Sequence, residues 1–268
     1  MIARALGLTL AALWAAGTAS AACPDPAEGG VEFYPSGEFL PANLLRIYIY
    51  FPRSMAADQG FQNVRLLDDA GRAVDGVFLE NRADLWSPDR RRLTLLLDPG
   101  RVKTGLDAHA ALGRALVPGQ AYAFELSAAA QDDQGCPLGV AGRHSFTVAA
   151  ADIDPPDPAG WSLTVPMAAG TAPLIVDLGS AHDHLSLAFR LRVLDAAGAI
   201  VPGAIALGPD ERSWMFTPRA PWAAAPHHLA IDERLEDLAG NRPGLLFDRP
   251  VDQAPLPWQS RLSFTPSP

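Results

Sequence analysis

Apolar and polar positions along this chain come in short runs, each broken by proline, glycine or aspartate. Leu45-Arg46-Ile47-Tyr48-Ile49-Tyr50-Phe51 is apolar, β-branched and aromatic at all but one position. Val64-Arg65-Leu66-Leu67 follows, stops at Asp68-Asp69-Ala70-Gly71 and restarts at Arg72-Ala73-Val74. The same order returns downstream as Leu174-Ile175-Val176, then Leu191-Arg192-Val193-Leu194, then Asp195-Ala196-Ala197-Gly198 and Ala199-Ile200-Val201. The spacing from Ile47 to Val64 equals that from Leu174 to Leu191. Runs this short with a period near two predict strands, and an Asp-x-x-Gly stop followed at once by another apolar run predicts a hairpin.

The correspondence extends over most of the chain. Arg92 to Pro99 matches Ser213 to Pro218, Gly119 to Leu126 matches Pro226 to Ile231, and Gln131 to Gly135 matches Leu235 to Asn241. The closing strand Arg143 to Val148 has two rivals for a counterpart, Arg261 to Thr265 and Leu245-Leu246-Phe247. Asp152-Ile153-Asp154-Pro155-Pro156-Asp157-Pro158 is too proline-rich to pair in a sheet and reads as a linker. The predicted plan is all-β: a leader over 1–21, a sandwich over 22–150 with an insertion at 100–118, a linker over 151–160 and a second sandwich over 161–268. Each unit has the length and strand number of two packed antiparallel sheets.

Composition narrows the setting. A net charge of −9 argues against a nucleic-acid partner, and 49% hydrophobic with 19% charged residues excludes a disordered polyampholyte. Arg4, the apolar stretch Leu6 to Ala16 and Ala19-Ser20-Ala21 form a secretory leader with cleavage after Ala21, and no later run is long enough to span a bilayer. Export to a periplasm or cell surface is therefore expected. The two cysteines, Cys23 and Cys136, are expected to pair in an oxidising compartment. A lipid anchor on Cys23 is the competing reading; it lacks an aliphatic residue at Ser20 and excludes the disulfide.

The motif order resembles the bacterial Ig-like domains of S-layer and other cell-envelope proteins. Phe51-Pro52-Arg53-Ser54-Met55 looks like that family's Phe-Ser-x-x-Met, Leu116-Val117-Pro118-Gly119-Gln120-Ala121-Tyr122 like its Leu-x-Pro-Gly-x-x-Tyr, and Leu235-Glu236-Asp237-Leu238-Ala239-Gly240-Asn241 like its Asp-x-x-Gly-Asn turn. Gly135-Cys136 and the insertion depart from the pattern. The resemblance implies two tandem immunoglobulin-like sandwiches outside the cytoplasm, and no chemistry.

Candidate chemistry is sparse. His182-Asp183-His184, with His227-His228 in the same unit, offers nitrogen donors for zinc. The two histidines align by sequence with Arg53-Ser54-Met55, a solvated loop, so no metal is expected. Acidic pairs at Asp68-Asp69, Asp132-Asp133, Asp232-Glu233 and Glu236-Asp237 match no calcium loop and read as turn-shaping side chains. Arg90-Arg91-Arg92 reads as charge that discourages edge pairing. Trp222, between Ala220-Pro221 and Ala223-Ala224, reads as a surface on which a sugar could stack. Nucleophile elbows, metalloprotease helices and phosphate loops are absent from the sequence. The expected protein is a non-enzymatic structural, spacer or interaction module of the envelope, without cofactor. Its expected partner is an envelope protein or a glycan, and a carbohydrate- or small-ligand-binding module is the alternative.

Overall fold

A computed structural model describes Cys23 and residues 30–80, 83–103, 113–249 and 254–268. The expected leader lies outside these residues, as does 104–112 of the insertion.

The first half contributes β1 (Glu32–Tyr34), β2 (Phe39–Pro41), β3 (Arg46–Tyr50), β4 (Val64–Asp68), β5 (Leu85–Trp86), β6 (Arg92–Leu96), β7 (Ala121–Leu126) and β8 (Gly142–Ala149). The second contributes β9 (Ser162–Thr164), β10 (Leu174–Asp177), β11 (Leu191–Leu194), β12 (Gly203–Leu207), β13 (Ser213–Pro218), β14 (His227–Ile231) and β15 (Arg261–Phe264). Among the described residues, two short α-helices, α1 (Pro99–Val102) and α2 (His184–Arg190), and the 3-10 turns Phe61–Asn63, Pro158–Gly160 and Pro209–Glu211 complete the regular structure. The first sandwich pairs the sheets β1-β3-β6-β5 and β2-β8-β7-β4; the second pairs β12-β13-β10-β9 and β11-β14-β15. All strand pairs are antiparallel except β2 with β8.

Alternation decides which face of each strand turns inward. In β14, His227, Leu229 and Ile231 are buried while His228 and Ala230 are half-buried. The first core gathers Ile47, Ile49, Leu66, Leu93, Phe124 and Phe146 between its sheets; the second gathers Leu174, Val176, Leu187, Trp214, Phe216 and Leu229. Each such side chain contributes about 1.5–3 kcal/mol on leaving water.

Both repeated stretches form the strands their patterns predict, with three corrections. After the Asp-x-x-Gly turns the chain pairs back only briefly, through the bridges Leu67–Ala73 and Leu194–Ile200. It then crosses to the other sheet, where β12 pairs with β13, because a sandwich needs strands on both sides of its core. The closing strand of the second unit is Arg261–Phe264, while Leu245 lies in a turn bridged to Arg242. Arg90-Arg91-Arg92 leads into β6, which lies between β3 and β5 and is not a sheet edge.

The bridges Met55–Asp132 and His182–Asp237 superpose the two copies residue by residue. The adjacent bonds agree: Ala56 N donates to Gln131 O at 3.1 Å, and Asp183 N donates to Glu236 O at 2.9 Å. His182 is thus the counterpart of Met55, and both are fully buried.

Candidate functional site

The densest polar constellation lies where loops of the second sandwich close on β1–β3 of the first. Asp183 caps α2 by accepting from Ser186 N at 2.8 Å, which leaves its Oδ2 to take the hydroxyl of Tyr48 at 2.8 Å. Arg46, two residues earlier on β3, places Nε 3.6 Å from the same oxygen and pairs with Glu236 through Nη2. Glu236 Oε1 also accepts from Arg242 Nε and Nη2, at 3.0 and 2.8 Å. Ionic and neutral donors thus converge on carboxylates almost closed to water, where such bonds are stronger than on a surface.

A second patch centres on Glu211, which is 1% exposed. It accepts from Ser36 N at 2.9 Å and Ser36 Oγ at 3.1 Å, and His184 Nδ1 lies 3.3 Å from its Oε1. The His184 ring stands 3.7 Å from that of Tyr34, centroid to centroid. A third patch joins the linker to both units. Asn43 exchanges two 2.8 Å bonds with the backbone of Asp152, and Asn241 Nδ2 donates to Asp152 O at 3.2 Å. Leu45 N donates to Leu238 O at 2.9 Å, and the Leu238 side chain packs into the core of the first sandwich. Gly240 (φ +79°) allows this approach: a Cβ there would lie 2.5 Å from Leu45 Cδ2.

Electrostatics reflect the burial. Burial, followed by the nearby charge of Asp183, holds the Tyr48 phenol far above its ordinary range. Burial and its bond to Glu32 push Tyr34 up to about 12. Burial raises the Asp183 carboxyl against the pull of Arg46. Asp237 is pushed up to about 7 by burial and by Asp152 beside it, and burial raises Asp152 in turn. A cleft of ≈ 290 Å³ opens beside this network, lined by Arg46, Tyr48, Asp183, Phe189, Arg190 and Arg242 among others. The carboxylates are taken up by partners across the seam, which is the arrangement of a joint.

The residues singled out by sequence fall elsewhere or play other parts. Cys23 and Cys136 are disulfide-bonded, so Cys23 carries no thiol to lipidate. His182 is not solvated: it is fully buried against Trp161, its Nδ1 meets Ser180 O at 3.0 Å, and burial lowers its pKa to about 4. His184 is not a free loop residue either, since it begins α2 and fills the seam. Their rings face different neighbours, and among the described residues no group of three or more His, Cys, Asp or Glu is placed to hold a metal ion. Trp222 is no exposed platform. It is 3% exposed, is edge-on to Phe216, His227 and Phe264, and donates Nε1 to Ala172 O at 2.8 Å. Proline and alanine neighbours suggested a surface loop, but an indole that finds a carbonyl packs as core.

The acidic turns shape backbone. Asp68 Oδ1 accepts from Ala70 and Arg72, and Asp195 Oδ1 from Ala197 and Ala199. Sequence reasoning missed the joint. Its only signals were Arg46 inside an apolar run and Glu236 beside the Asp-x-x-Gly-Asn turn.

No protein-family profile and no curated protein matches the chain. Among solved structures, a crystal structure of native α-2-macroglobulin from Escherichia coli spanning domains MG0-NIE-MG1 is 11% identical over 89% of this chain and 72% of that one, with a TM-score of 0.28. The N-terminal Ig1-2 module of the Drosophila receptor protein tyrosine phosphatase DLAR is 11% identical over 76% and 91%, at 0.24. A chimeric titin Z1Z2 is 8% identical over 75% and 89%, also at 0.24. Likenesses this remote carry no functional argument; the tandem sandwich fold rests on the strands and registers above.

Proposed function

We propose that this protein is an exported, non-catalytic module of the cell envelope that holds two Ig-like sandwiches at a fixed angle and presents their loops and sheet edges to a partner. One observation carries the reading: the seam is locked by the Tyr48–Asp183 bond, the Arg46–Glu236–Arg242 pairs and the Ser36–Glu211 bonds. A linker without such contacts leaves domains free to move; this one is bonded on both sides at Asp152. The fixed pair acts as a spacer whose outward features keep a constant separation.

Membership of the S-layer-type Ig-like family is part of this proposal and is supported by the Asp237-to-Asn241 turn, from which the first copy departs at Cys136. Export is supported by the leader-like first 21 residues and by a disulfide that needs an oxidising compartment. Crosslinking in intact source cells, followed by purification and mass spectrometry, tests the proposal. One dominant protein partner, with a chain whose N-terminus is Ala22, is the expected result. Recovery of the chain alone, or bearing only envelope glycan, would overturn the interaction reading.

A further inference from the structure

The two copies treat an equivalent aspartate differently. In the first, Asp132 Oδ1 accepts from the amides of Gln134 and Cys136, and Oδ2 lies 3.0 Å from Arg53 Nε. In the second, Asp237 Oδ1 accepts from the amides of Ala239 and Asn241 at 2.8 and 2.9 Å, but Oδ2 is buried without a hydrogen-bond partner. The paired bridges that equate Met55 with His182 put Ser180 where the first copy has Arg53. The second copy has therefore lost the counter-cation, and the charged group beside Asp237 is the carboxyl of Asp152.

This orphan oxygen sits in the joint. Asp237 opens the turn that seats Leu238 in the first core, accepts Leu45 N at Leu238 O and reaches Asp152 through Asn241. A buried carboxylate with one oxygen unpartnered and no cation beside it is costly, and a proton is the simplest way to remove its charge.

We propose that the Asp237 carboxyl is a proton-operated latch: protonated, it lets the 237–241 turn stay seated on the first sandwich, and ionised, it loosens the two sandwiches from each other. It rests on the reading of the seam as a rigid joint. The groups facing it come from every neighbouring segment. The linker brings Asp152, whose Oδ1 is tied to the amide of Asp154, and the β2–β3 turn brings Asn43. The bridged segment brings His182, kept neutral by burial down to about pH 4, and near it Arg212, whose Nη2 is taken by Gly179 O. The turn itself brings Asn241, whose side-chain amide lies beside the Asp237 carboxyl and partly offsets the effect of burial, and whose Oδ1 accepts from Phe247 N; Lys103 lies over the ring of Phe247. Glu236, one residue away, is shared by Arg46 and Arg242. None of these supplies a cation to Oδ2, and Asp152 adds repulsion.

The sign follows from where the proton is held more tightly. Closed, Asp237 titrates near 7; opened to water, it returns to the ordinary 3.8. The closed joint therefore binds the proton better, is favoured at low pH, and weakens as pH rises from about 4 to about 7. The opening equilibrium should rise on the order of thirtyfold between about pH 5.5 and about pH 8.

The amide of Leu45, bonded only across the seam to Leu238, reports opening directly. Native-state hydrogen exchange on the oxidised full chain, corrected for intrinsic rates, should show its protection falling on the order of thirtyfold over that interval. Amides inside the sheets, such as those of Phe124 and Val176, should not follow it. Asp237→Asn, which keeps the Oδ1 acceptor and removes the charge, should abolish the fall. Ser180→Arg, which restores the first copy's cation, should abolish it too and provides the answer if Asp237→Asn does not fold. A Leu45 amide protected equally at both pH values, or a fall that persists in a folded Asp237→Asn or Ser180→Arg, overturns the latch while the joint stands. A Leu45 amide unprotected even at the lower pH overturns the joint itself. Restoration of protection by calcium ions at the higher pH would assign the oxygen to a metal and also overturn the proposal.

Discussion

Giving the first copy the second copy's residue, Arg53→Ser, should reproduce the orphan carboxylate in a place where stability alone reports it. Arg53 Nε sits 3.0 Å from Asp132 Oδ2, an ion pair rather than an aligned hydrogen bond, and its Nη2 donates to Pro137 O at 2.8 Å. The Asp132 side chain is 4% exposed and that of Arg53 21%. Removing one partner of a fully buried pair costs about 3–5 kcal/mol. Partial access of water to the vacated site brings the expected loss to roughly 2 kcal/mol, most of it the penalty of the unpaired carboxylate. Urea unfolding of the oxidised chain, followed by the NMR signal of the Trp86 indole N–H, would read this as a lower midpoint at constant slope. A loss under about 0.5 kcal/mol would refute the reasoning that a lone Asp Oδ2 in this turn requires a cation.

Three further outcomes are expected. Trp222→Ala should destabilise the second sandwich by about 3–5 kcal/mol, measured by calorimetry, since it empties a site packed by Phe216, His227 and Phe264; a loss of glycan affinity without a loss of stability would contradict its burial. Replacing Cys23 and Cys136 by serine, or reducing them, should cost about 2–5 kcal/mol in the first sandwich, because the bond closes a separation of 113 residues in the unfolded chain; an unchanged denaturant midpoint would count against it. His182 binds its proton near 4 in the folded chain and near 6.5 when unfolded, so its contribution is present above 6.5 and is lost as pH falls through 4, on the order of 3 kcal/mol. His182→Met, the first copy's residue, should remove that loss; an acid sensitivity equal to wild type would place it elsewhere.

The pH effects of His182 and Asp237 have opposite sign. Between about pH 4 and about pH 6.5 one gains what the other loses, so global stability is a poor reporter of either. Hydrogen exchange at the seam separates them when Asp237→Asn and His182→Met are compared, because each variant removes one of the two titrating groups. The joint, rather than the melting temperature, is where the charge is felt.

Sequence by itself determined the strands and their repetition. Alternation in Ala121 to Leu126 and in His227 to Ile231, and the equal spacing of the Ile47 and Leu174 runs, needed no tertiary information, because a strand's pattern of apolar residues is set by which of its faces meets the core. The Asp-x-x-Gly turns were legible for a similar reason: Asp68 and Asp195 bond amides two and four residues away. Only the tertiary structure decided that Trp222 is core, that His182 replaces Met55 inside the fold, and that Tyr48, Asp183, Glu211, Glu236 and Asp237 meet at one seam. The bonds that Ser36, Arg46 and Tyr48 make across the seam join residues separated by more than a hundred positions, as Tyr48 and Asp183 are by 135. Their energies depend on exclusion of water, a property of the packed joint that no local pattern carries. The loss of a cation at Ser180 was present in the sequence throughout, yet it acquired meaning only when the bridges aligned it with Arg53.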